Sequence, residues 1–385
     1  MKIILNYLKR LITPEIKYIL IIFLITRIVL TITGVTTRAA FKNTNNGWSE
    51  WNYSKSPILT IWGVWDSGWY LDIAENGYST KLMSDLPKKV CCGQANIGFF
   101  PLYPILIHFV GKVFGDYALA GIIISNIALI LAAVFLVKLL EIDHKNDEVK
   151  RIIKYLFLFP TSFILSAIFS ESLFLLLAIL CFYFAKKKKW LWVGISGLFL
   201  SLNRPTGVLV AIPLFSIYLK GKGFLMKKIK LDLFYFLLFP LGLLLFMFYT
   251  YKLTGDFFAY FHMKQLNWNA VYTNPMSVLI SLFQTNSVTR MIAVFTAIEI
   301  ALLIIFLKKI NFPYFIYSLI IILMPLVNGL EIAIGIPRMS VVAFPLFIIL
   351  AKIAKKPVVD YLLTISLISL QIFFMLNWTN GYLII

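Results

Sequence analysis

The residues best suited to chemistry stand in the stretch WDSGWYLDIAENGYS, 65–79, where three carboxylates sit among aromatic and aliphatic anchors in a chain that is otherwise largely apolar. Such a segment is too polar to cross a bilayer and too apolar for a free linker, so it is expected to lie on a membrane surface with one side wet. Read as a helix, it places Asp66, Tyr70, Ile73 and Gly77 on one stripe and turns Asp72, Glu75 and Asn76 away. Gly77 is placed to end that helix. Asp66 has two readings. Before the first helical turn it can cap orphan backbone amides; as a carboxylate at the membrane boundary it can act as a general base and take a proton from an attacking hydroxyl. Asp72 and Glu75 read as a solvated helix face.

Composition says what must position these residues. Hydrophobic residues make up 60% of 385 positions and charged ones 14%, against roughly 25% charged in soluble domains. Apolar runs such as YILIIFLITRIVLTITGV (18–35), ALAGIIISNIALILAAVFLV (118–137) and DLFYFLLFPLGLLLFMFY (232–249) approach the roughly 20 residues that a spanning helix needs. The chain reads as an all-α polytopic membrane protein, one integral domain over 1–385 with no separate soluble part. Its net charge of +19 does not point to nucleic acid, because Lys and Arg form short clusters between apolar runs instead of one basic face carrying aromatics. They read as topology signals. Residues 1–37 mimic a secretion signal, but 18–35 is long enough to span and no small-residue cleavage pattern follows, so they read as a retained first helix. Cys91, Cys92 and Cys181 cannot build a disulfide framework and have no CxxC spacing. The adjacent pair is either loop filler or a redox or metal feature.

Placing the basic clusters at 1–17, 138–154, 186–189, 220–230, 308–309 and 352–356 on one cytoplasmic side predicts about eleven crossings. They fall near 18–37, 118–137, 152–169, 172–185, 190–203, 206–219, 231–252, 290–307, 311–329, 338–354 and 358–378. The stretch FFPLYPILIHFVGKVF (99–114) must then not cross, and its prolines and His108 suit a surface-lying or re-entrant piece. The first outer loop is 38–117, with amphipathic surface helices and Asp66. Several expected spans are short, as in helices broken or tilted around a cavity. This parity brings the 38–97 loop, Ser170 and Glu171, the NRPTG break at 203–207, the 253–289 loop and the 330–337 segment to one outer face.

Taken in order, WDSGWYLDIAENGYS, GFFPLYPILI, FPTSFILSAIFSESLFLLLAILCFYFA, SLNRPTGVL and PRMSVVAFPLFIILA, over about residues 60–354, resemble the PIG-V family of mannosyltransferases in its prokaryotic form. Eukaryotic members of that family add the second mannose to glycosylphosphatidylinositol anchors. The resemblance implies a GT-C membrane glycosyltransferase, a polyprenyl-phosphate sugar donor, inversion at the anomeric carbon, and a catalytic acidic residue in the first outer loop, which here is Asp66. It also implies an acceptor hydroxyl on a glycolipid, glycan or protein at the outer or lumenal face. The membrane is the plasma membrane if the chain is prokaryotic and the endoplasmic reticulum if it is eukaryotic.

Beside that implication the remaining motif residues can be read physically. A departing lipid phosphate needs cationic donors more than a general acid, and Arg204 in NRPTG and Arg338 in IPRMS, each beside a proline at the outer end of a span, are the candidates. Snorkelling is the alternative for both. Glu171 either complements the dipole of the helix it begins or, as the SES motif of the resemblance implies, positions the partners of Asp66 or binds acceptor. The segment GDFFAYFHMKQLNWN (255–269) resembles a loop of bacterial relatives and offers His262, Lys264, Gln265 and Trp268 for stacking on a sugar and bonding its hydroxyls. Tyr70 and Tyr103, in the first two motifs, join them as supporting residues. Eukaryotic members tend to carry RSNG where this chain has RPTG, and Arg-Tyr where it has Arg338 and Met339. These departures bear on acceptor and sugar more than on the reaction.

No HExxH or DxD is present; a lipid-monophosphate donor carries few charges, so an Arg-assisted mechanism needs no cofactor, and a divalent metal where Asp66 and Glu171 meet stays open. GISG (194–197) matches the GxSG of intramembrane serine proteases, yet none of His108, His144 and His262 lies in an expected span, and helix packing is the better reading. The rival function is a transporter or flippase of lipid-linked sugars, which shares the spans, breaks and arginines but does not need Asp66 as a base. A third is a subunit that is inert without a partner chain.

Overall fold

The computed structural model describes residues 13–41, 53–54, 56–79, 96–143, 148–225, 227 and 229–381. Cys91, Cys92 and His144 lie outside the described residues. Among the described residues every regular element is helical. Polar caps start the long helices: Thr13 accepts from the Ile16 amide with Pro14 at the first position, Asp116 accepts from the Leu119 amide at 2.9 Å, and Asn286 and Thr289 close a capping box. Gly115 (φ 70°) and Gly255 (φ 77°) stop two helices in the left-handed region that glycine adopts without strain.

Five helices are long and apolar enough to cross a bilayer: Pro14–Ala40, Tyr117–Ile142, Leu231–Thr254, Ser287–Ile305 and Pro357–Thr379. A sixth is the pair Ile336–Val342 and Pro345–Ile353, bent by 87° at a short break. The chain is a multi-pass membrane protein with five or six such helices among the described residues, well short of the expected eleven. The shortfall has a physical origin. The expected span 152–169 is the helix Val149–Leu158 followed by a 3₁₀ turn, Ser162–Ser166. The next, Glu171–Lys186, has 16 residues, about 24 Å at a rise of 1.5 Å against a hydrocarbon core of about 30 Å. The expected spans 190–203 and 206–219 are Trp190–Asn203, a 3₁₀ turn Pro205–Val210, and Ala211–Gly221.

Broken backbone survives at membrane depth only where protein groups satisfy it, and here they do. The Gln371 amide on Pro357–Thr379 donates to the carbonyls of Phe157 and Phe159 at 2.9 and 3.2 Å. Glu171–Lys186 lies buried between Tyr117–Ile142 and Trp190–Asn203. Small residues set the close approaches that drive helix association in lipid: a Cβ at Gly197 would meet the Phe239 ring at 2.3 Å, and one at Gly194 the Tyr235 carbonyl at 2.5 Å. GISG is thus a packing stripe.

The opening stretch forms one helix, and the helix Leu102–Phe114 packs against it. Ser67–Asn76 forms as expected, burying Tyr70 and Ile73 and ending at Gly77 (φ 78°). Leu102–Phe114 has 13 residues, about 20 Å of helix, too short to cross. It turns Tyr103 and Ile107 inward and Ile105, Phe109 and Val113 outward. Asp72 departs from the solvated face expected for it: it accepts from the side-chain amides of Asn96 at 2.7 Å and Asn76 at 2.9 Å, fastening its helix to the Asn96–Gly98 turn.

Candidate functional site

Asp66 occupies the cap position of Ser67–Asn76, but its side chain makes no capping bond. Its Oδ2 instead accepts from Arg338 Nη1 at 2.8 Å. Trp65, the residue before it, holds φ at 55°, a conformation that costs a non-glycine residue free energy and recurs where surrounding structure fixes a functional side chain. The capping reading of Asp66 therefore gives way to an ion pair.

Arg338 stands in the short turn Ile336–Met339 before the 87° bend. Its Nε lies 3.4 Å from Glu171 Oε1, and its guanidinium rests over the Phe169 ring at 5.0 Å. The same Glu171 oxygen accepts from Arg204 Nη2 at 2.8 Å, while Oε2 is buried without a hydrogen bond. Asp66, Arg338, Glu171 and Arg204 thus form one chain of alternating charge. Glu171 is fully buried, so the plain dipole role does not account for it. Its helix start is set by neighbours: Tyr70 Oη and Ser170 Oγ lie 3.0 Å apart, and the Asn203 amide donates to the Ser170 carbonyl at 3.0 Å.

These groups border a cavity of about 740 Å³ lined by Asp66, Tyr70, Arg204 and Arg338 together with Lys264, Gln265 and Trp268 from the helix Ala259–Trp268. Leu209, Leu243, Ile321, Met324 and Val342 supply an apolar wall. Lys264 Nζ sits 3.9 Å from the Trp268 ring centroid and 4.7 Å from that of Phe99. No carboxylate among the described residues reaches it within ion-pair distance, and burial pushes its pKa down to about 8. The cavity wall therefore holds two cations paired with two acids and one cation held only by π faces. Glu331 lies at its exposed rim. Gly98 admits Trp268 closely: a Cβ there would meet the indole at 2.8 Å.

Of the ten residues singled out from the sequence, eight converge here, seven in the cavity wall and Glu171 behind it. Tyr103 does not reach the cavity. It is buried beneath, bonding the Gly121 carbonyl at 3.0 Å and Ser125 Oγ at 2.7 Å, with its ring edge-on to Tyr70. His262 is not among the residues lining the cavity: it is exposed, with Nδ1 2.6 Å from Asp256 Oδ2, a contact that holds the Asp256 carboxyl below its usual range. Arg338 lies directly on Asp66, so the acid and one of the two guanidiniums form an ion pair in this state. Asp66 and Glu171 flank that guanidinium instead of meeting, and no group of three or more His, Cys, Asp or Glu among the described residues is placed to hold a metal. Asn203 and Ser170, placed in the sequence only as neighbours of Arg204 and Glu171 on one face, hold the start of the Glu171 helix.

No protein-family model matches the chain, and no curated protein does. Among solved structures it is similar to the oligosaccharyltransferase of Archaeoglobus fulgidus. The form tethered to an acceptor peptide containing the NVT sequon is 13% identical at TM-score 0.43, the complex with zinc and sulfate 13% at 0.42, and the apo form 12% at 0.44. The matches cover 94%, 93% and 94% of this chain but 55%, 53% and 56% of those chains, so it spans just over half their length. A likeness of that degree carries no activity across.

Proposed function

We propose that the cavity is the active site of a GT-C-type membrane glycosyltransferase. In this reading it moves a sugar, mannose by the motif resemblance, from a polyprenyl or dolichyl phosphate to a hydroxyl of a glycolipid, glycan or protein. The observation that carries the reading is one cavity holding an accessible carboxylate, Asp66, three cations of which Lys264 has no carboxylate in ion-pair reach among the described residues, and an apolar wall. A lipid phosphodiester of a sugar uses all three: apolar surface for the chain, one cation for its single charge, a base for the acceptor.

In a single displacement, Asp66 takes the proton of the acceptor hydroxyl, the acceptor oxygen bonds to the anomeric carbon, and the bond from that carbon to the phosphate oxygen breaks. The electron pair leaves on the lipid phosphate, which passes from one negative charge to two. Lys264 matches the first, and Arg204 and Arg338 supply forked donors for the second by shifting part of their bonding from Glu171 and Asp66. Arg338 holds Oδ2 of Asp66, which leaves Oδ1 to receive the proton. Incubating membranes that contain the full chain with labelled polyprenyl-phosphate mannose tests this: label should move from lipid donor to a second product, and label that only redistributes across the bilayer supports the transporter or flippase instead.

A further inference from the structure

We infer that Thr161 is a positioning residue for Arg338. It stands in the break between Val149–Leu158 and the Ser162–Ser166 turn, is fully buried, and donates its hydroxyl to the carbonyl of Pro337 at 2.6 Å. That carbonyl belongs to the peptide joining Pro337 to Arg338. Arg338 lies in a four-residue turn before an 87° bend, where few helical hydrogen bonds fix the backbone, so an outside donor has leverage. Ser340 Oγ also points at the Pro337 carbonyl, but at 3.4 Å, a weak bond. Thr161 provides the strong one.

The segment bearing Thr161 is itself held from three other helices. Gln371 reaches Phe157, Phe159 and Ser162; Arg27 Nη1 donates to the Ser162 carbonyl at 3.2 Å and Ser166 Oγ at 2.6 Å; Ser166 Oγ in turn donates to Asn126 Oδ1 at 2.7 Å. A few residues on, the same segment places the Phe169 ring under the Arg338 guanidinium and Glu171 beside it. One clamped stretch thus meets Arg338 at its backbone, its π face and its charge. Without the Thr161 hydroxyl, the Pro337 carbonyl keeps only the long Ser340 contact as side-chain donor, and its peptide shifts toward it. The guanidinium moves with it.

The catalytic consequence rests on the glycosyl-transfer reading; the geometric one does not. The test compares Thr161→Val, which keeps shape and removes the hydroxyl, with Thr161→Ser, which restores it, in the purified full chain. In a structure of the valine variant, Arg338 should be displaced from Asp66, and in the serine variant it should stay. Transfer from polyprenyl-phosphate mannose should fall about 10- to 100-fold in the valine variant, the order expected when a catalytic group shifts by about 1 Å, and the serine variant should keep most of it. In an Arg338→Lys background, Thr161→Val should add little, because it acts through Arg338. Should the valine chain not fold, Thr161→Ala takes its place. Arg338 unmoved in the hydroxyl-free variant, or a Thr161 penalty undiminished in the lysine background, overturns the inference. A wild-type chain inert toward the donor counts against the transferase reading alone, since the structures still decide the positioning.

Discussion

Arg338 Nη1 lies 2.8 Å from Asp66 Oδ2, a contact between residues 272 positions apart. It joins the head of the helix Ser67–Asn76 to the bent segment Ile336–Ile353, and through Glu171 it reaches Arg204. The site is therefore a charge chain, and each member should respond to loss of its neighbour.

Removing Arg204 alone leaves Glu171 buried with half its compensation. Breaking a buried pair from one side typically costs about 3–5 kcal/mol; Arg204 is 18% exposed, so Arg204→Gln should sit at the lower end. The paired change Glu171→Gln with Arg204→Gln should recover much of that loss. Thermal unfolding of the purified variants checks both, and a double variant no better than the single one counts against a buried pair.

Lys264 gives the site a pH dependence. Burial lowers its pKa to about 8, so the free protein carries this cation below pH 8 and loses it as pH rises through that value. If the donor phosphate needs it, kcat/KM for donor should fall on the alkaline side with a midpoint near 8, since kcat/KM reports groups of the free enzyme. Lys264→Arg keeps its charge at these pH values and should shift the fall upward. Lys264→Met should bind donor poorly at every pH.

His262 is expected to matter little. It is 56% exposed and paired with a partly exposed Asp256, and surface changes of this kind stay within about 0.5 kcal/mol. His262→Ala should leave transfer within about twofold, measured beside Lys264→Met under the same conditions.

The contrast between His262 and Lys264 shows what the sequence could not convey. Composition made the whole 255–269 segment look like a sugar site, but residues two apart on a helix do not share a face, while Lys264 and Trp268, four apart, do. Asp66 stood out in the sequence because a carboxylate at the head of an amphipathic helix has few roles, and Arg204 and Arg338 because a proline beside each marks a break; the structure places all three in one cavity wall. Their pairing was not legible, since it depends on how distant segments meet. The span count failed for a related reason: hydropathy sees apolar runs, whereas whether Val149–Leu158 continues across the bilayer depends on Gln371, Arg27 and Ser162 satisfying the backbone at its end and just beyond. Lys264 as the cation without an acid partner among the described residues emerged only when both arginines proved to be engaged.

The central claim is that Asp66 accepts the acceptor's proton, and Asp66→Asn tests it most directly, since asparagine keeps the size and can still meet Arg338 through its oxygen. With labelled polyprenyl-phosphate mannose and membranes containing the full chain, transfer should drop by about 10²- to 10⁴-fold, the usual contribution of a general base, while the protein still binds the donor. Transfer by the asparagine variant at the wild-type rate would contradict the account.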